Sequence, residues 1–78
     1  MKHDIQIRFR IVKNSRIIEA SFDERLSFKD NLRILSEICD EEIGNAEIYD
    51  PVKRIFLDKE VPLSSFSIQY YVSFYLFT

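Results

Sequence analysis

The amino-acid sequence predicts a two-layer α+β domain, in which one helix covers one face of a mixed β-sheet. Three features predict this architecture: two alternating apolar stretches near the N-terminus, one stretch of helical period in the middle, and a strongly apolar alternating stretch at the end. The chain has 78 residues, which is enough for one small core. We therefore expect residues 1–78 to form a single domain.

The first two strands are predicted from apolar residues that recur at every second position. In the first stretch, apolar side chains alternate with polar ones at Ile5, Ile7, Phe9 and Ile11. A polar break of hairpin length follows at residues 13–16, and a second alternation then runs from Ile18 to Phe22. The two strands are therefore expected to form an antiparallel hairpin with one face toward the core.

A helix is predicted from residue 28 to residue 39, where the apolar residues take the period of an amphipathic helix. Its apolar stripe consists of Phe28, Leu32, Leu35 and Cys39, and we expect Ile34 and Ile38 to widen this buried stripe. Ser27 is expected to cap the N-terminus. After a solvated acidic run, residues 40–42, Gly44 and Asn45 are expected to form a left-handed stop.

Three further strands are predicted in the second half of the chain. Residues Ala46 to Asp50 and Arg54 to Leu57 are short strand candidates on either side of a turn. Residues Tyr71 to Phe77 are apolar on both faces, and such a strand would promote aggregation at a sheet edge. We therefore expect the last strand at the centre of the sheet, beside the first strand, which is the arrangement of a β-grasp.

The composition argues against several classes of function. One glycine, Gly44, is too few for a glycine-rich phosphate loop, and one cysteine, Cys39, excludes an internal disulfide. The net charge of −2 argues against nucleic acid as a partner. The apolar runs are too short for a membrane span or a signal peptide, so we expect a cytoplasmic protein without membrane insertion.

Catalysis is not expected from this sequence. Cys39 lies on the apolar stripe of the predicted helix, where it is expected to be a core residue. His3 lies near the terminus and has no partner that the sequence identifies. We therefore predict no enzyme activity, no bound metal and no cofactor.

Two segments resemble known ubiquitin-like proteins. Residues Leu63 to Gln69, with the sequence LSSFSIQ, resemble the LSDYNIQ segment before the last strand of ubiquitin. The start of the helix, Phe28 to Leu32, and the length of the segment from Glu47 to Leu63 are similar to the YukD/EsaB family of bacterial ubiquitin-like proteins. The resemblance implies a ubiquitin-like β-grasp fold and a role as an accessory protein of type VII secretion systems.

The end of the chain distinguishes it from the ubiquitin-like proteins that act covalently. Ubiquitin and the related sulfur carriers act through a flexible C-terminal tail that ends in two glycines. The sequence contains no glycine after Gly44 and ends at Thr78. We therefore expect a non-conjugated protein, with a modifier or a sulfur carrier as the alternative.

The face of the sheet that the helix leaves open is the predicted binding site. Strand alternation and the resemblance to ubiquitin place six candidate residues on it: Arg8, Arg10, Tyr49, Tyr71, Tyr75 and Phe77. These residue types are enriched at the centres of protein interfaces, so we predict a protein partner, either a secretion-system component or a second copy. Two alternatives stay open: arginine stems that pack over tyrosine rings as ordinary surface, and a sheet that stacks single-stranded RNA.

Overall fold

The computed structural model describes residues 4–66 and 73–78 of the chain. This part of the chain forms a five-stranded sheet, one α-helix and one turn of 3₁₀ helix. In chain order the elements are β1 (Asp4–Ile11), β2 (Arg16–Asp23), α1 (Phe28–Cys39), β3 (Glu47–Asp50), β4 (Ile55–Phe56), the 3₁₀ turn (Leu63–Ser65) and β5 (Ser73–Phe77). The predicted α+β architecture, with one helix on a mixed sheet, is confirmed.

The last strand lies at the centre of the sheet, as its two apolar faces predict. The strand order is β2-β1-β5-β3-β4, with β5 parallel to β1 and antiparallel to β3. Phe9 lies beside Phe74 in this pairing, and Ile11 lies beside Leu76. The core-facing side chains of the two central strands are therefore adjacent, and they form the floor on which the helix packs.

The predicted hairpin of β1 and β2 is also present. Eight consecutive residue pairs run from Asp4 opposite Asp23 to Ile11 opposite Arg16, without a bulge. In the connecting turn, Ser15 has a left-handed backbone with a φ of 59°. The odd-numbered residues of β1 from position 7 onward are buried, so the even-numbered residues face away from the helix.

Phenylalanine side chains form the centre of the core. The ring centroids of Phe9 and Phe22 are 5.2 Å apart. The ring of Phe28 on α1 lies 5.7 Å from that of Phe74 and 5.9 Å from that of Phe66. Such tilted and edge-on aromatic pairs add directional attraction to apolar burial. The core therefore holds α1 on one face of the sheet and leaves the opposite face to solvent.

Polar side chains fix the start of α1. The hydroxyl of Ser27 accepts a hydrogen bond from the backbone N–H of Asp30 at 3.1 Å, so the predicted cap is confirmed. The buried side chain of Asn31 accepts from the backbone N–H of Asp23 at 2.9 Å and donates to the Asp23 carbonyl at 3.0 Å. The first half of α1 is therefore held against the end of β2.

α1 begins and ends at the predicted residues, Phe28 and Cys39, but the left-handed stop after it is not where it was predicted. Asp40 forms the C-cap with a φ of 55°, whereas Gly44 does not have a positive φ. The predicted left-handed stop at Gly44–Asn45 is therefore wrong. The chain turns directly after Cys39, which brings Ile43 into the core, and the Ser36 hydroxyl donates to the Glu41 carbonyl at this bend.

Ile34 and Ile38 do not widen the buried stripe of α1, so that prediction is also wrong. Their relative exposures are 50% and 76%, whereas Leu32 is fully buried and Leu35 and Cys39 pack against the core. The reason is the position of α1 near the edge of the sheet. Beyond β2 no described strand lies under this flank of the helix, so its two isoleucines stay exposed.

The strands β3 and β4 are shorter than predicted. β3 begins at Glu47 instead of Ala46, and β4 has two residues instead of four. The turn between them is confirmed, because the Asp50 carboxylate accepts hydrogen bonds from the backbone N–H groups two and three residues later. The predicted beginning of the last strand, at Tyr71, lies outside the described residues.

Candidate protein-interaction face

The strands β1, β5 and β3 are neighbours, so their outward side chains form one continuous surface. Five of the six predicted site residues lie on it: Arg8, Arg10, Tyr49, Tyr75 and Phe77. The strand register places Arg10 beside Tyr75, and Tyr75 beside Tyr49. The sixth residue, Tyr71, lies outside the described part of the chain. The sheet thus brings the five described candidates together.

Four aromatic rings form a connected cluster on this surface, and we call them the aromatic patch: Tyr49, Phe56, Tyr75 and Phe77. Tyr49 occupies its centre. Its ring stacks nearly parallel to that of Tyr75, with a 17° angle and 6.4 Å between centroids. It meets the rings of Phe56 and Phe77 edge-on, at 5.1 Å and 6.2 Å. Tyr49 therefore joins the other three rings into one surface.

The two phenylalanines of the aromatic patch stand out into solvent. Phe56 is 57% exposed and Phe77 is 41% exposed, while Tyr49 and Tyr75 are half-buried. The rings of Phe56 and Phe77 are 5.7 Å apart. Contiguous exposed apolar surface of this kind is typical of interaction sites, whereas scattered apolar residues are not. The aromatic patch can therefore bury apolar surface of a partner.

Phe56 belongs to the site although it was not among the predicted residues. It lies directly opposite Tyr49 in the pairing of β3 with β4, so the two side chains share a face. The sequence predicts a short strand around this position, but a run of a few apolar residues does not define which side chain points outward. The length of the turn after Asp50 sets the register of β4 against β3. In the sequence, a possible aromatic pair of Phe56 with Tyr49 across these two strands was the signal that could have placed Phe56 in the site.

The two arginines lie on β1, beside the aromatic patch. Arg8 donates from Nε and from a terminal nitrogen to the carboxylate of Glu19, at 2.8 Å and 2.5 Å. Arg10 forms no ion pair with any residue among 4–66 and 73–78. A shallow groove of about 210 Å³ runs here, lined by Arg8, Phe9, Arg10, Ile17, Ser73 and Tyr75. The guanidinium of Arg10 is thus available to an acceptor on a partner.

A larger cleft of about 670 Å³ lies at the end of the sheet, where Lys13, Ser36, Glu41 and Glu42 contribute to its lining. Glu41 is already paired with Arg16. Within the described part of the chain, every buried side-chain nitrogen or oxygen has a hydrogen-bond partner. The cleft therefore offers no unpaired buried group to a ligand, and the aromatic patch is the stronger candidate site.

No group of three or more His, Cys, Asp or Glu side chains among the described residues is arranged to hold a metal ion. The one α-helix of this part of the chain lacks the length and the apolar character that crossing a membrane requires.

The comparison with known proteins identifies the fold. No protein-family model and no curated protein sequence matches the chain. Among solved structures, the chain is similar to the C-terminal ubiquitin-like domain of mouse tubulin-specific chaperone E, with a TM-score of 0.68 and 13% sequence identity. The similarity covers 97% of this chain and 87% of that domain. The chain therefore has the predicted ubiquitin-like β-grasp fold, while its relation to the YukD/EsaB family stays a prediction.

Proposed function

We propose that the chain is a non-catalytic, ubiquitin-like protein-interaction module that binds a partner through the aromatic patch and Arg10. The observation that supports this most directly is the exposure of Phe56 and Phe77, which pack on Tyr49 but have no role in the core. Aromatic and arginine side chains contribute most of the binding energy in many protein interfaces. A face built from these groups is suited to docking.

The geometry of the face defines what a partner has to offer. Apolar side chains of the partner would pack on the rings of Phe56 and Phe77 and bury apolar surface there. A carboxylate or carbonyl beside them would accept hydrogen bonds from Arg10. Arg8 already pairs with Glu19. Its side chain therefore has a fixed orientation, and it would add less binding energy than Arg10.

For the biological setting, we propose a cytoplasmic accessory of a bacterial type VII secretion system. The support comes from the sequence, in which Phe28 to Leu32 and Glu47 to Leu63 are similar to the YukD/EsaB family. The ubiquitin-like fold is consistent with this family. On this proposal the partner is a component of the secretion machinery, and the module acts by reversible docking.

The proposal is tested by purification of the tagged chain from its native host. We expect the wild-type chain to recover a protein partner that the double variant Phe56→Ala, Phe77→Ala loses, because the protruding half of the aromatic patch is removed. Val52→Ala is the matched control, since Val52 is 78% exposed but lies in the turn after β3. Equal recovery of every partner by the folded double variant would contradict the proposal.

The same preparation tests the two alternative functions. The intact mass of the purified chain would reveal an isopeptide adduct or a thiocarboxylate, and either would identify a modifier or sulfur carrier. The stacked rings of Tyr49 and Tyr75 are the feature that favours single-stranded RNA. Bound RNA would be released by nuclease and lost steeply with salt, whereas a protein partner would persist after nuclease treatment.

A further inference from the structure

Two pairs of neighbouring apolar side chains are exposed on opposite sides of the sheet. Phe56 and Phe77, the protruding rings of the aromatic patch, form the pair on the open face. Ile34 and Ile38 lie one helical turn apart on α1, which covers the other face, and we call them the isoleucine pair. Neighbouring exposed apolar side chains are typical of interaction sites. Each pair therefore offers a partner a contiguous apolar surface.

The two pairs have matching dimensions. The ring centroids of Phe56 and Phe77 are 5.7 Å apart. Side chains four positions apart on a helix have their Cβ atoms about 5–6 Å apart, which applies to Ile34 and Ile38. If the exposed side of α1 lies across the aromatic patch, each isoleucine can therefore pack on one ring.

The charged groups beside the two pairs have opposite signs. Next to the aromatic patch, Arg10 on β1 and Lys53 and Arg54 in the turn before Phe56 form no ion pair with any described residue. Next to the isoleucine pair, the exposed Glu37 pairs with no described cation, while both basic side chains of α1 are already paired. Electrostatic attraction therefore favours contact between the two surfaces.

We propose that the aromatic patch of one copy of the chain takes the isoleucine pair of a second copy, so that the chain associates head to tail. Phe56 and Phe77 cover the two isoleucines, while Arg10 faces the acidic side of α1. This inference rests on the proposed function in one respect, namely that the aromatic patch is a binding surface. It adds that a second copy is one of the partners of this surface.

A head-to-tail contact leaves one surface of each copy open at the two ends of the assembly. The aromatic patch and the isoleucine pair lie on opposite faces of the sheet, so one copy can use both at the same time. Contacts between two different surfaces do not close after two copies unless the rotation between copies generates a ring. The assembly therefore grows with concentration, and another protein bound to the aromatic patch would stop its growth.

A symmetrical contact between two aromatic patches is the competing arrangement. It would bring the unpaired cations of both copies together, and like charges at short range oppose association. It would also leave Ile34 and Ile38 of both copies exposed to solvent. The head-to-tail arrangement instead covers both apolar pairs and joins surfaces of opposite charge.

The test is sedimentation velocity of the purified chain and of two variants that each remove one surface. The variant Ile34→Asp, Ile38→Asp removes the isoleucine pair, and the variant Phe56→Ala, Phe77→Ala removes the protruding rings. At about 1 mM, where small and weak interfaces associate, we expect the wild type to form species larger than a dimer and each variant to be a monomer. Because each variant keeps the surface that the other has lost, their equimolar mixture is expected to form heterodimers that do not extend.

The control for these variants is Val52→Ala, which changes an exposed apolar residue outside both pairs and is expected to associate as the wild type. A monomeric wild type, a surface variant that associates alone, or a mixture that stays monomeric would each overturn the proposal. A monomeric wild type that still recovers a partner from its native host would leave the proposed function standing, so the two failures are distinguishable.

Exchange of the two charges gives an independent measurement. Arg10→Glu and Glu37→Arg are each expected to weaken self-association by about fivefold, because each places like charges on the two contacting surfaces. The double variant Arg10→Glu, Glu37→Arg restores opposite charges and is expected to recover most of the wild-type association. A double variant that associates more weakly than either single variant would overturn the head-to-tail arrangement.

Discussion

At Asn31, one buried amide supplies hydrogen bonds to two separate segments. It bonds both backbone groups of Asp23, and its NH₂ group also donates to the carbonyl of Ser27 at 2.9 Å. Only a side chain with both a donor and an acceptor can satisfy all of these groups at once. An unpaired buried amide costs about 1–3 kcal/mol, which explains why a polar residue occupies this side of the helix.

Asp40 is a residue whose replacement should stabilise the fold. Its left-handed backbone favours glycine, and its negative charge lies at the C-terminal end of α1, where the helix dipole disfavours it. We therefore expect Asp40→Gly to raise the free energy of unfolding by about 1 kcal/mol, which corresponds to roughly 4–8 °C in the midpoint of thermal unfolding. Urea and thermal unfolding measure this change.

The matched control for this prediction is Glu42→Gly. Glu42 is also an exposed acid after the helix, but its φ is not positive, so glycine there only makes the unfolded chain more flexible. This control should be neutral or destabilising. If both variants change stability equally, the left-handed conformation of Asp40 is not the source of the effect.

The helix α1 shows how its environment selects the buried face. Its bounds were predictable because Ser27 supplies a recognisable cap and because the apolar period begins directly after it. The width of its buried stripe was not predictable from the period, since Ile34 and Ile38 have the same character as Leu32 and Leu35. Their burial depends on whether a strand lies beneath them, and that is a property of the sheet order.

Alanine substitutions separate these two classes of helix residue. We expect Ile34→Ala and Ile38→Ala to change the free energy of unfolding by less than about 0.5 kcal/mol each, because both side chains are exposed. Leu32→Ala should cost about 2–5 kcal/mol, because it leaves a cavity beneath the helix. Chemical denaturation distinguishes the outcomes, and a loss of more than about 2 kcal/mol from an isoleucine would mean that this flank is buried.

The strands also show how far the sequence predicts which side chains face the core. The alternation in β1 and β2 has period two over many residues, so it specifies which side chains face the core. In β4, two residues carry no such information, and Phe56 was therefore missing from the predicted site. Its orientation follows from the register with β3, which the turn at Asp50 sets.

On the scale of the whole molecule, the topology separates two surfaces of different character. The central position of β5 joins Arg10 on β1 to Tyr49 on β3, and this builds the open face with its aromatic patch. The segment from Arg16 to Glu42 contains β2 and α1, and it carries eight acidic and four basic side chains. A small domain can thus present an apolar face with an available cation and, on another side, an acidic edge.

The central claim is that the aromatic patch is the surface on which a protein partner docks. It is tested most directly by a titration of the isotope-labelled chain with the partner recovered from the native host. We predict that the largest amide shifts fall on β3, β4 and β5, and that the double variant Phe56→Ala, Phe77→Ala weakens binding by about tenfold or more. Shifts confined to other surfaces, with an unchanged affinity of the folded variant, would contradict the claim.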